Sequence, residues 1–220
     1  MGILDLIFPK ACVGCGRLGA YLCKACESQI QYLEHQFCPE CSKAAIGGKT
    51  HPGCLRAFGL NGLTSLTFFS YPVNKLIHAL KYRYTADLVT EVVEKINLNT
   101  DLGWEKSSLL PVPLYWQKQN SRGFNQSELL GKLYAERLNL NFDDKLLKKE
   151  IKTKPQVGLK REERLKNLVG AFSVSGEVRN KNFVVFDDVW TSGATLKNIG
   201  QVLKRKGANQ VWGFTLARSH

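Results

Sequence analysis

The stretch Phe183-Val184-Val185-Phe186-Asp187-Asp188-Val189-Trp190-Thr191-Ser192-Gly193-Ala194-Thr195 joins an apolar run to two carboxylates and then to a small, hydroxyl-rich loop. Four apolar residues bounded by polar ones suit a buried strand of a parallel sheet, covered on both faces. Asp187 and Asp188 then emerge near its carboxyl end, where open α/β sheets bind ligands. Residues 196–203 come next with helical spacing of their apolar positions, so the loop leads into a helix N-terminus. A phosphate placed there meets backbone N–H groups, the hydroxyls of Thr191, Ser192 and Thr195, and the positive end of a helix dipole, with Gly193 and Ala194 keeping the loop small. The carboxylates would repel that phosphate. They serve better as acceptors for vicinal ribose hydroxyls, or as ligands of a Mg²⁺ that bridges a sugar and a pyrophosphate. The order of residues therefore describes a cradle for a phosphosugar.

At 220 residues the chain has room for one catalytic domain plus a small module. It contains no apolar run long enough to span a membrane, and residues 3–8 are too short and too acidic for a signal peptide, so a cytoplasmic protein is expected. The net charge of +12 favours polyanionic ligands, whether a phosphosugar, nucleic acid or both.

All 7 cysteines lie between positions 12 and 54. They fall as Cys12-x-x-Cys15, Cys23-x-x-Cys26 and Cys38-x-x-Cys41, and His51-x-x-Cys54 completes a fourth pair. Such knuckles put two thiolates on one tetrahedral ion, so these ligands make two structural Zn²⁺ sites, one Cys₄ and one Cys₃His. An odd number of cysteines and pairs at metal spacing argue against disulfides. Sequential and interleaved pairing of the knuckles both satisfy the spacing. With every position filled by protein, no ligand site is left for water, and the zinc is structural. A segment this small buries little apolar surface, and metal ligation supplies its folding free energy. Lys10, Arg17, Lys24, Lys43, Lys49 and Arg56 decorate the segment and could serve a nucleic-acid or protein partner.

Near residue 60 the pattern changes, dividing a Cys-rich module (1–60) from an α/β domain (61–220). Residues 63–71 read as a strand, with Pro72 in the first turn of a helix; 73–82 and 86–96 read as helices around the basic, aromatic turn Lys81-Tyr82-Arg83-Tyr84. Residues 107–114 form a strand ending in prolines, 115–124 a polar loop, and Asn125 caps a helix reaching about residue 138. Further strands are expected at 144–151, 172–174 and 210–217, with a charged stretch at 152–167. Strands and helices alternate, which argues for a mostly parallel sheet with helices on both faces.

The 183–195 stretch resembles the motif of type I phosphoribosyltransferases that binds 5-phosphoribosyl-1-pyrophosphate (PRPP). With the Cys-rich start, Pro111-Val112-Pro113-Leu114, Arg122-Gly123-Phe124-Asn125-Gln126, Thr153-x-x-Gln156 and Arg164-x-x-Asn167, nearly the whole chain resembles the ComF (ComFC) family. That family is bacterial and linked to competence for natural transformation. The resemblance implies a zinc finger joined to a type I phosphoribosyltransferase domain. It assigns pyrophosphate to the 115–125 loop, with Lys118 and Arg122 as its cations, and a lid over PRPP to 152–167, with Gln156, Lys160 and Arg164 as polar contacts. The chain departs from these transferases in having no obvious acceptor-binding hood, unless the zinc module serves as one.

Two functional readings result. One is a phosphoribosyltransferase in which Asp187 and Asp188 hold the ring hydroxyls, residues 191–195 the 5-phosphate, and Lys118 with Arg122 the departing pyrophosphate. The other is a PRPP-regulated factor that engages single-stranded DNA or a competence helicase without acceptor chemistry. Lys81-Tyr82-Arg83-Tyr84 would suit base stacking, or simply end a helix with packed tyrosines.

Overall fold

The computed structural model of the chain describes residues 9–82, 86–98, 102–151 and 170–219. Arg83, Tyr84, Thr153 and Asn167, and the expected lid contacts Gln156, Lys160 and Arg164, lie outside these residues.

The cysteine-rich start is built from two copies of one backbone frame. The N–H of the leading cysteine donates across a tight turn, Cys12 to the Arg17 carbonyl (2.8 Å) and Cys38 to that of Lys43 (2.9 Å). Its own carbonyl accepts from Gly16 in the first copy and Ser42 in the second, at 2.8 and 3.0 Å. Gly16 and Ser42 both have positive φ, 78° and 58°, which reverses the chain after the knuckle. Antiparallel bridges close the frames, Ala11 with Leu18 and Phe37 with Ala44. Beyond the frame the copies differ. A short helix α1 (Lys24–Glu27) carries Cys26, whereas two 3-10 turns (Ile46–Gly48 and Pro52–Cys54) bring His51 and Cys54 round.

The rest of the described chain runs β1 (Gly62–Phe68), α2 (Val73–Tyr82), α3 (Ala86–Lys95), β2 (Ser107–Pro111), α4 (Trp116–Arg122), α5 (Gln126–Arg137), β3 (Asn141–Phe142), β4 (Leu147–Lys149), β5 (Phe172–Val174), β6 (Asn182–Trp190), α6 (Ala194–Arg205) and β7 (Gln210–Arg218). Five strands make one sheet in the order β1-β7-β6-β2-β3, and every neighbouring pair is parallel. β4 and β5 pair antiparallel outside it.

The continuous apolar run of β6 is explained by burial on both faces, since successive strand residues point to opposite sides. Val184 and Phe186 enter a core with Leu76, Leu88 and Tyr134 of α2, α3 and α5. Phe183 and Val185 enter a second core with Ile199 and Leu203 of α6. Tyr134, Phe186 and Phe214 form a ring cluster with centroids 5.1 to 5.5 Å apart. Truncating one of the phenylalanines to alanine should cost about 3–5 kcal/mol.

The zinc-ribbon-like start packs along β1, the sheet edge. Antiparallel bridges join Tyr32 to Thr67 and Lys49 to Gly62. Between them the Gln36 amide stands in for a strand, with Nε2 donating to the Ser65 carbonyl (3.0 Å) and Oε1 accepting from the Ser65 N–H (2.9 Å).

Some elements differ from the sequence expectations. Residues 116–122, expected as loop, form α4, whose polar residues hide any apolar period and whose end is set by Gly123 at φ 76°. The expected strand at 144–151 shortens to β4, because the Asp143 carboxylate accepts from the N–H groups of Lys145 and Leu146 (2.9 and 3.0 Å) and turns the chain first. Pro72 stands just before α2, and β3, only 2 residues long, has no pattern to read.

Candidate functional site

The chain leaves β2 toward β3 on one side and β6 toward β7 on the other, so the winding reverses between β2 and β6. Ligands in open α/β sheets bind outside the carboxyl ends of strands at such a reversal. A cleft of about 210 Å³ lies at the carboxyl end of β6, lined by Asp187, Asp188 and Trp190, then Thr191, Gly193, Ala194 and Thr195, with Lys81 facing them from α2. Ser192 sits in the same loop, its hydroxyl accepting a long bond from the Ala194 N–H (3.4 Å).

Each carboxylate has a distinct setting. Asp187 accepts from the Ser127 hydroxyl (3.1 Å) and from the Asp188 N–H (2.9 Å). Burial and the neighbouring Asp188 charge push its pKa up to about 7, against the opposing pull of the Asp188 N–H, the Lys81 ammonium and the Ser127 hydroxyl. Asp188, largely buried, pairs with the Lys81 ammonium at 2.7 Å. The site thus holds one carboxylate against a cation and one carboxylate on the border of ionisation. Such a pair suits neutral hydroxyl donors and a divalent cation better than a second anion.

Local sequence sets this geometry. Gly193 holds φ 71° as the cap of α6, and a Cβ there would lie 2.2 Å from the Trp190 indole. Only glycine allows that turn against the ring. Asn125 caps α5 by accepting from the Ser127 N–H (3.1 Å), and its side-chain amide also donates to the Val112 carbonyl (3.1 Å). The cap therefore ties the end of β2 to the helix that presents Ser127 to Asp187.

The structure gathers Asp187, Asp188, Thr191, Gly193, Ala194 and Thr195 around one cleft. Arg122 stands at the end of α4, its guanidinium 5.7 Å from the Tyr82 ring, rather than on the cleft wall. Lys118 lies on the same helix. Lys81 and Ser127 were missed by sequence reasoning. Lys81 reads as part of a basic, aromatic helix end, and its contact with an acid 107 positions later exists only in three dimensions. Tyr82, exposed at the end of α2, has its ring tilted against His78 (centroids 4.7 Å apart) and beside the Arg122 guanidinium.

The metal candidates fall into two groups, Cys12, Cys15, Cys23 and Cys26, and Cys38, Cys41, His51 and Cys54, with the ligand atoms of each within 4.8 Å of one another. Pairing is therefore sequential. Burial works against the Cys12 thiolate, yet N–H groups of Cys23, Cys15 and Gly14 bring its pKa down to about 6. Cys38 falls to about 7 against its own burial, through N–H groups of Cys41, His51 and Glu40. His51 Nε2 lies 3.0 Å from the Ala44 carbonyl, which can only accept. Its proton is thus fixed on Nε2, and the Nδ1 lone pair faces Cys41 Sγ at 3.4 Å, as a zinc ligand requires. The donors and the tautomer fit tetrahedral Zn²⁺ in both groups. No helix among the described residues is long and apolar enough to cross a membrane.

Comparison with known proteins agrees with this geometry. Residues 3–55 match the double zinc ribbon domain family, as the duplicated frame and two ligand groups suggest, and structural Zn²⁺ is the metal these groups carry. The chain is 29% identical over 210 residues to the competence protein F of Haemophilus influenzae, covering 89% of this chain and 90% of that protein. It is 27% identical over 198 residues to the competence protein ComFC of Streptococcus pneumoniae, covering 90% and 87%. Similarity to the DNA utilization protein YhgH of Escherichia coli is 27% over 208 residues, covering 90% of each. The ComF resemblance read from the motifs thus extends over most of the chain.

Proposed function

We propose that this chain is a cytoplasmic, PRPP-binding protein of phosphoribosyltransferase type that acts in DNA uptake or utilisation. The observation that carries the reading is the acid pair in the last residues of strand β6, which runs on to Trp190 before the short 191–193 loop and a glycine-capped helix, at the point where the sheet reverses its winding. The names of the relatives support the biological setting. In this reading Asp187 and Asp188 accept from the vicinal ribose hydroxyls, and residues 191–195 with the first turn of α6 hold the 5-phosphate. Asp187, Asp188 and the pyrophosphate would hold Mg²⁺, which neutralises charge on the leaving group. Lys118 and Arg122 on α4 attend the pyrophosphate. The bond from C1 to pyrophosphate is largely broken before the acceptor's bond to C1 is made, so the ring carries positive charge in the transition state; pyrophosphate leaves with the bonding pair and the acceptor gives up its proton. The chain contributes positioning and leaving-group stabilisation.

A second reading keeps PRPP as a regulator of DNA or helicase binding without transfer. The exposed Tyr82 ring beside Arg122 and the net charge of +12 support it. Calorimetric titration with PRPP and Mg²⁺ tests the shared premise. Wild type should bind, and Asp187→Asn/Asp188→Asn should lose at least about a hundredfold in affinity. No binding by wild type would remove the phosphosugar site. If PRPP is bound, its slow consumption in a screen of nucleobase and amine acceptors separates the enzyme from the regulated binder.

A further inference from the structure

The second zinc knuckle, residues 38–41, does not line the cleft but touches α6 just behind the 191–195 loop. Glu40, between the two cysteine ligands, accepts from the Lys197 ammonium at 3.1 Å, with side-chain exposures of 27% and 13%. Lys197 sits in the first turn of α6, where its N–H donates to the Gly193 carbonyl (2.9 Å). Its ammonium also lies 6.0 Å from the Trp190 ring. That ring is the surface against which Gly193 makes its turn. On the other side of the knuckle, the Phe37 ring lies 4.2 Å from the guanidinium of Arg218, a buried residue that pairs in register with Trp190 across β6 and β7. No carboxylate pairs with Arg218 among the described residues, so the Phe37 face lies against that charge in place of an anion.

Glu40 and Phe37, each beside a cysteine ligand, therefore touch two residues that flank the phosphate loop, Lys197 in the helix after it and Arg218 beside Trp190, which precedes it. An exposed ion pair contributes little, but this one is largely buried and joins two chain segments far apart in sequence. Among the described residues the first zinc group makes no such contact with the cleft. Its neighbours Tyr21 and Leu22 donate instead to Glu91 on α3.

We infer that Glu40 is a positioning residue for the phosphate loop, acting through Lys197, and that the second zinc knuckle supports that loop from behind α6. The inference rests on the phosphosugar reading for its ligand, though the bracing itself does not. A thiolate pair fixed on zinc holds Glu40 in place. Release of that metal frees Glu40 and Phe37 together, and the loop loses both supports.

The test uses the zinc-loaded full chain as wild type, Glu40→Gln, Lys197→Met, the double variant, and the charge exchange Glu40→Lys/Lys197→Glu. Three quantities are measured: zinc per chain, amide hydrogen exchange over residues 190–197, and PRPP affinity with Mg²⁺. The single variants should keep wild-type zinc content, exchange about fivefold faster over 190–197, and bind PRPP about fivefold more weakly. The double variant should be no worse than either single one, and the exchanged pair should recover most of the loss. Unchanged exchange in Glu40→Gln would overturn the inference. Losses that add in the double variant would also overturn it, since Lys197 would then act on the ligand directly. A wild type that fails to bind PRPP defeats the phosphosugar reading, while the exchange data still decide the bracing.

Discussion

The two zinc groups share a backbone frame and ligand chemistry, yet they are set into the molecule differently. Cys12 and Cys26 are buried in the core beneath α2 and α3, together with Leu22 and Ile30. Glu91 clamps the N–H groups of Tyr21 and Leu22 and pairs with Lys95 at 2.9 Å, and the same lysine donates to the Leu22 carbonyl. In the second group Cys38 is buried but belongs to neither core, Cys41 is exposed as Cys15 is in the first, and both His51 and Cys54 are half-buried where the first group has buried Cys26. Its surroundings tie instead to the edge strand β1, through Gln36 and Lys49, and to Lys197 of α6 and Arg218 of β7, on either side of the cleft's loop. One centre is a piece of the core that happens to hold metal; the other is a surface fitting set behind a binding site. A duplicated unit thus acquires separate duties from its surroundings rather than from its ligands.

Ligand removal should break the symmetry most visibly. Cys26→Ser is expected to release one zinc and destabilise the whole chain by roughly 4 kcal/mol or more, because the metal site is continuous with the core. Cys54→Ser should also release one zinc while leaving the sheet folded, with fast amide exchange confined to residues 37–55. Metal analysis and exchange mapping check both. Equal global destabilisation by the two variants would erase the distinction.

Glu91→Gln sharpens the comparison at the clamp of the first centre. Burial raises the Glu91 pKa, but the Lys95 charge and the N–H groups of Leu22 and Tyr21 outweigh it, so the net shift is downward. A depressed carboxylate stabilises the fold above its unfolded pKa and loses that contribution as pH falls through the folded value. Glu91→Gln should therefore cost about 1–2 kcal/mol in denaturant titrations at neutral pH, with the gap to wild type closing below about pH 4.

At the cleft behind the second centre the sign reverses. Asp187 has a raised pKa, so its favourable contribution is complete below the unfolded value of 3.8 and is lost as pH climbs through about 7. Asp187→Asn should make the metal-free cleft more stable than wild type, with the gain growing as pH rises from about 4 and levelling off above about 7. A variant more stable and less able to bind is the signature of a residue kept for function. The smallest effect belongs to the frame itself. Ser42→Gly should stabilise by about 0.5 kcal/mol and Gly16→Ser destabilise by a similar amount, since both positions hold positive φ and only one has glycine.

Much of this architecture is written locally. The β6 run could be read because both its faces are buried, and the Asn125 cap because its bond is made two residues away. Cys-x-x-Cys spacing likewise reports a local geometry. Which knuckles share an ion does not, since pairing depends on how the frames stack. The polar residues of α4 carry no apolar period, so its helix escapes pattern reading. Lys81, Ser127 and Glu40 are each placed by contacts with residues distant in sequence, and no periodicity encodes such a meeting.

Gln36 has a consequence for the company this protein keeps. Its amide occupies the outward backbone groups of Ser65 on the edge strand, in a segment held between the two metal centres. An uncovered strand edge is a template on which another chain can add. Stripping the metal therefore unmasks an adhesive rim along β1, and metal-depleted chains should clump edge to edge, so that zinc supply governs solubility as well as shape.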